Sequence, residues 1–114
     1  MNAKIPQAVQ DCHECIKWVI PQLDKFPRNR RFTLGERIES GLLDVLGLLL
    51  EASYSQRNTK ILHKANTQLT LVRHLWRLCF ELKVIAKKQY EYGSRLVLNI
   101  GSQIGGWQKH ASQQ

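Results

Sequence analysis

No stretch of this chain is apolar for long enough to cross a bilayer. The leucine-rich run of residues 42–50 is interrupted by Asp44 and Gly47, whereas a membrane-spanning helix needs about 20 apolar residues. Residues 1–10 show no sustained apolar segment of the kind found in secretory signals. The three cysteines are an odd count, which does not suit a disulfide framework. We therefore expect a soluble, cytoplasmic protein with no membrane contact.

Sequence motifs of the common enzyme classes are also missing. No serine has the spacing of a nucleophile elbow, and no glycine-rich segment has the pattern of a phosphate-binding loop. The histidines form no His-x-x-x-His or Glu-x-x-His pair of the kind that binds metal inside a helix bundle. We therefore expect a protein that is not an enzyme, with no catalytic residue, no cofactor and no metal site.

Cys12 and Cys15 form a Cys-x-x-Cys pattern that could be a redox pair or half of a zinc site. Cys79 could add a third thiolate only if its helix met the first helix at the same level. Both cysteines of the pair, however, lie on the apolar stripe that runs from Ile5 to Leu23, where cysteine behaves as a small apolar residue. We favour the interpretation that they belong to the core.

Apolar residues recur with helical periodicity along the chain, and no segment alternates as a strand does. This pattern predicts an all-α, single-domain protein, residues 1–114, folded as an up-down antiparallel four-helix bundle. We predict helices at about residues 6–25, 33–54, 58–86 and 89–105, followed by a mobile tail at residues 108–114.

Local signals set the predicted helix ends. Pro21 should kink the first helix or end it early. Thr33 and Glu36 have the spacing of a capping box, in which each side chain binds the other residue's backbone N–H at a helix start. Gly105 and Gly106 are typical of a helix end.

The third predicted helix is apolar around far more of its circumference than a helix on one small core needs. At about 100° per residue, its apolar positions form two groups, and together they are roughly twice as wide as the usual stripe. The two groups are Leu71, Leu75, Leu78, Leu82 and Ile85, and Leu69, Val72, Trp76, Cys79 and Phe80. We expect one face to be buried in its own subunit and the other in a neighbouring subunit.

Positive charge is concentrated in the second half of the chain. Residues 1–56 carry seven basic and seven acidic residues, whereas residues 57–114 carry ten basic and only two acidic ones, which accounts for the net charge of +8. Such asymmetry favours a polyanion-binding surface, although a merely solvated basic face remains an alternative. The candidate nucleic-acid-binding residues are Arg73, Arg77, Lys87, Lys88 and Arg95.

Aromatic residues in the same half offer a second route to nucleic acid. Trp76, Trp107, Tyr90 and Tyr92 could stack on bases, as aromatic side chains do in single-strand binders. Because Trp76 lies among leucines at helical spacing, we favour a place for it in the core or in an interface.

Several separated segments together resemble the accessory variability determinant family of bacterial and phage diversity-generating retroelements. That family belongs to a wider four-helix-bundle group, which includes proteins encoded in intervening sequences of 23S ribosomal RNA. The resemblance extends from about Trp18 to Lys109. It is carried by residues 26–28 (Phe-Pro-Arg), 31–39, the leucine run to Ala52, 89–92 (Gln-Tyr-Glu-Tyr) and 104–107 (Ile-Gly-Gly-Trp).

The resemblance implies a basic, ring-like homopentamer of four-helix bundles. Such a ring would bind RNA or DNA and the reverse transcriptase of the element, and would assist mutagenic copying of the template RNA into cDNA without being the catalyst. A different class of function stays open: an oligomeric protein-binding scaffold whose affinity for nucleic acid is incidental.

Overall fold

Four long helices make up most of the chain in the computed structural model, which describes residues 6–112. No strand occurs within that range, so the prediction of an all-α, four-helix fold is confirmed. Ile5 and residues 113 and 114 lie outside the described range. The elements are α1 (Gln7–Asp24), the single turn α2 (Arg28–Arg30), a π-helical turn (Arg31–Gly35), α3 (Glu36–Ser53), α4 (Thr59–Glu81) and α5 (Lys87–Ser112).

The long helices run antiparallel to their neighbours. α1 packs against α3 and α5, and α4 also packs against both of these helices. Asn99 donates a hydrogen bond of 2.9 Å to Asp11 near the start of α1, whereas Gln89 donates one of 2.8 Å to Gln22 near its end. The chain therefore forms an elongated bundle of 46 × 24 × 21 Å.

A single hydrophobic core runs along the bundle axis. In α4 the buried residues are separated alternately by three and four positions, which keeps them on one side of a helix. They are Leu62, Ala65, Leu69, Val72, Trp76 and Cys79. Among residues 6–111 no polar or charged residue is buried. Within the same range, no helix is both long and apolar enough to span a membrane.

The helical segment that leads into α3 begins earlier than its capping signal suggested. The predicted start at Thr33 is wrong, because the chain is already helical from Arg28, directly after Pro27. Thr33 lies inside the π-helical turn and its hydroxyl donates to the carbonyl oxygen of Asn29 at 3.0 Å. A residue with helical backbone on both sides cannot cap a helix, so Thr33 and Glu36 form no capping box.

α4 ends at Glu81, about five residues before the predicted end. Lys83 adopts a left-handed backbone conformation with φ of 62°. The N–H of Lys83 donates to Phe80 O at 3.0 Å and the N–H of Val84 donates to Cys79 O at 2.8 Å. These two bonds define a Schellman motif, which ends a helix and normally has glycine at the left-handed position.

Two signals that can end a helix do not end one here. Pro21 does not end α1, which continues to Asp24. The predicted end of the last helix at Gly105 and Gly106 is wrong, because α5 passes through both glycines to Ser112. Continuing the helix places Trp107 against the core. The predicted tail is therefore helical as far as Ser112.

Candidate nucleic-acid interface

Trp76 fixes the position of α5 against α4. The side chain is buried, and its indole N–H donates a hydrogen bond of 3.1 Å to the carbonyl oxygen of Tyr90. Gly93 faces the same ring so closely that a Cβ atom there would lie 2.6 Å from Trp76 Nε1. The prediction that Trp76 belongs to the core is confirmed. Its packing determines which basic side chains of the two helices share a surface.

The two candidate arginines of α4 are exposed on the side nearest α5. Arg73 lines a shallow groove together with Leu98 and Gly101 of α5. The Nε of Arg77 forms an ion pair of 3.2 Å with Glu81 Oε2, one helical turn away. Both partners are largely exposed, so solvent screens this pair and leaves it worth less than about 1 kcal/mol. Glu81 therefore neutralises part of the charge of Arg77.

The three candidate basic residues of α5 are also exposed. Lys87 and Lys88 lie in the first turn, where the positive end of the helix dipole adds to their own charge. Arg95 lies two turns further along, and its Cζ is 5.6 Å from the centroid of the Tyr92 ring. Lys87 and Lys88 are thus at one end of the bundle, whereas the other three candidates are further along its side.

Further basic residues lie at that end, which we call the basic end. In an antiparallel bundle the α1–α3 connection, which contains α2, and the α4–α5 connection are at the same end, and the hydrogen bond between Gln22 and Gln89 confirms this. These basic residues lie in two segments that are far apart in the sequence. The basic end comprises Lys25, Arg28 and Arg30 from the first connection, and Lys83, Lys87 and Lys88 from the second.

Three acidic groups near the basic end are engaged by other arginines, whereas Glu91, one turn from Lys87, forms no ion pair within the described chain. Arg31 lies 3.2 Å from Asp24 and 3.6 Å from Glu39, and Glu81 is paired with Arg77. In the part of the chain that the structure describes, none of the six basic-end residues pairs with a carboxylate. Like charges therefore accumulate there, and such a surface attracts polyanions.

A second surface, which we call the apolar face, covers the outer sides of α3 and α4. Leu71 and Leu78 are 40% and 42% exposed, although the opposite side of α4 is buried in the core. Leu75, between them, lines a groove with Phe32 at the start of the helical segment. The apolar face comprises Phe32, Leu43, Leu50, Leu71, Leu78 and Leu82.

All three cysteines are buried and free. Burial raises the pKa of both the Cys12 and Cys15 thiols to about 12, so neither forms a thiolate at neutral pH. Their predicted place in the core is confirmed. Within residues 6–112, no three His, Cys, Asp or Glu side chains come together as a metal site.

A protein-family model described as bAvd-like matches residues 7–111, which include almost all of the four long helices. The chain belongs to the bAvd-like family. This match confirms the membership that the sequence segments suggested for accessory variability determinants. No match was found among curated proteins. Within this bAvd-like chain, the basic end is marked by its concentration of positive charge and the apolar face by its exposed large apolar side chains.

Proposed function

We propose that this chain is a non-enzymatic accessory protein of a diversity-generating retroelement. It binds the template RNA or its cDNA together with the reverse transcriptase of the element, and so supports mutagenic copying. The observation that carries the proposal is the bAvd-like family match over residues 7–111. The basic end and the five candidate residues on α4 and α5 support it, because their charge suits a phosphate backbone.

The working form of the protein is proposed to be a ring of five chains. The apolar face supports self-association, because large apolar side chains clustered on a surface commonly mark an interface. Each of the five chains would add a net charge of +8 to the ring. Nucleic acid bound by such a field should be released by salt, since each phosphate contact displaces counterions.

Light scattering after size exclusion, with and without a short single-stranded RNA, tests the proposal. The free protein should have a mass near five times 13.2 kDa. The RNA should co-elute with it at about 50 mM salt and dissociate well before about 500 mM. A monomer that ignores RNA at low salt would overturn both parts of the proposal. A pentamer that ignores RNA but retains the purified reverse transcriptase would favour the scaffold function instead.

A charge-reversed variant, Arg73→Glu with Arg77→Glu, tests the candidate residues. We expect it to lose RNA retention and keep the oligomer, because both side chains are exposed and neither belongs to the core. Arg57→Glu with Lys60→Glu is the matched control, since it makes the same change in net charge at the other end of α4. An equal loss of RNA binding in the two variants would show that net charge, rather than this site, determines binding. RNA binding by Arg73→Glu with Arg77→Glu at the wild-type level would also exclude this site.

A further inference from the structure

Tyr92 is a partly exposed aromatic ring that packs against Trp18, which in turn packs against Trp76. Its centroid lies 4.8 Å from that of Trp18 on α1, and Trp18 lies 6.0 Å from the buried Trp76 in an edge-to-face arrangement. The three rings form a row from the surface to the core, although 42% of Tyr92 remains exposed. The ring of Tyr92 is therefore held in place before any ligand arrives.

Basic side chains flank this ring along α5. Lys88 precedes Tyr92 by four residues and Arg95 follows it by three, and both spacings place side chains next to each other on a helix surface. The Arg95 guanidinium is already over the ring, at 5.6 Å from its centroid. Glu91 is the one acidic residue in this part of α5 and forms no ion pair within the described chain.

Other aromatic side chains are less suited to receive a planar ligand. Phe80 and Tyr90 stack on each other, with centroids 4.6 Å apart and planes 12° apart, so each covers a face of its partner. Phe32 and Tyr54 are more exposed than Tyr92, but neither stacks on another ring within residues 6–112. Tyr92 combines an exposed edge, support from Trp18 and a neighbouring guanidinium that is exposed and can move aside.

We infer that Tyr92, Lys88 and Arg95 form a binding site for single-stranded nucleic acid. An unstacked base stacks on the Tyr92 ring in place of the Arg95 guanidinium, and Lys88 and the displaced Arg95 contact its flanking phosphates. Bases within a duplex are covered on both faces by their neighbours and cannot stack on a protein ring, whereas phosphate contacts are available in both forms. The site thus selects single strands. This inference rests on the proposed function and adds the class of nucleic acid that is bound.

Fluorescence anisotropy with a labelled single-stranded RNA and a duplex of equal length tests the inference. We expect Tyr92→Ala to weaken single-strand binding by about tenfold or more and to change duplex binding by less than about twofold. Tyr92→Phe keeps the ring and should bind as the wild type does. Because Tyr92→Ala removes no charge, the dependence of its affinity on salt should be unchanged.

Arg95→Gln provides the contrasting variant. Loss of a phosphate contact should weaken the binding of single strand and duplex alike, and should reduce the slope of log affinity against log salt by about one. Light scattering and circular dichroism establish that each variant keeps the mass and helix content of the wild type. The affinities for single strand and duplex are then compared only between proteins that have the same oligomeric mass.

The outcomes separate the inference from the proposed function. A wild-type protein that binds neither RNA would overturn the proposed function, and the inference with it. A wild type that binds RNA, with Tyr92→Ala weakening the binding of both forms equally or of neither, would overturn the inference alone.

Photocrosslinking of 4-thiouridine RNA to the wild-type protein gives an answer even where a variant misfolds. The crosslink should map to the peptide containing Tyr92, and a map that omits this peptide would also overturn the inference.

Discussion

The close approach of Gly93 to Trp76 leads to a sharp prediction for Gly93→Ala. A Cβ atom at this position would lie 2.6, 2.7 and 2.8 Å from three atoms of the indole ring. Non-bonded carbon atoms pack at about 3.5 Å or more. The ring cannot withdraw easily, because it is buried to 98% and its N–H is bonded to Tyr90 O. Alanine must therefore push α5 away from α4 or turn the indole out of its place.

Three contributions set the size of the effect. Overpacking of a well-packed core costs about 1–3 kcal/mol. Loss of the indole hydrogen bond, with its partners still buried, costs a further 1–3 kcal/mol or so. Alanine is favoured over glycine within a helix by about 1 kcal/mol, which acts in the opposite direction. We expect Gly93→Ala to reduce the free energy of unfolding by about 1–5 kcal/mol.

Urea unfolding, followed by tryptophan fluorescence and circular dichroism at one protein concentration, measures this change. Gly105→Ala is the matched control, since it makes the same substitution in the same helix at a position with no atom within 4 Å of the new Cβ. The control should be as stable as the wild type or more stable, by up to about 1 kcal/mol. A Gly93→Ala protein as stable as Gly105→Ala would refute the packing described for Trp76.

Two further predictions concern the α1–α5 contact and the apolar face. Asp11 accepts hydrogen bonds from three side-chain amides, those of Gln7, Gln103 and Asn99, and these bonds hold the pKa of its carboxyl below the usual 3.8. A carboxyl whose pKa is lower in the folded than in the unfolded protein stabilises the fold at pH values above the unfolded pKa. This stabilisation is lost as the pH falls through the folded pKa. Asp11→Asn should therefore cost less than about 1 kcal/mol at pH 7, and this difference should shrink below about pH 4 in urea titrations. Leu78→Glu, on the apolar face, should lower the mass measured by light scattering and leave the circular dichroism spectrum unchanged. Leu98→Glu is the control, because Leu98 is similarly exposed but lies outside that face, and this variant should keep the wild-type mass. A folded pentamer of Leu78→Glu would show that the apolar face is not the interface.

The core could be predicted from the sequence because it depends on periodicity alone. Cys12, Cys15 and Trp76 all lie where the helical pattern places them. Helix ends depend instead on single backbone conformations. Lys83 is left-handed without being glycine, so no residue type indicated the end of α4. Gly105 permits such a conformation but does not require it, and α5 continues because Trp107 gains packing against the core.

The candidate interface was only partly accessible to sequence analysis. The excess of positive charge in residues 57–114 indicated Lys87 and Lys88 as candidates, and both are exposed in the structure. It did not indicate Arg28 and Arg30, because the first half of the chain is neutral on average. Their place beside the α4–α5 connection follows from the antiparallel arrangement of the helices, which cannot be deduced from composition. The pairing of Arg77 with Glu81, by contrast, could have been found in the sequence, because residues four apart on a helix are neighbours.

The burial of every cysteine has a practical consequence for spectroscopy. Thiol-directed dyes and spin labels react with the thiolate, and the pKa of Cys79 is also raised, to about 11, chiefly by burial. A new cysteine introduced at an exposed position such as Ser102 would therefore be labelled selectively in the folded protein, with the three native cysteines left in place. Distances between copies and to a labelled RNA could then be measured without first redesigning the core.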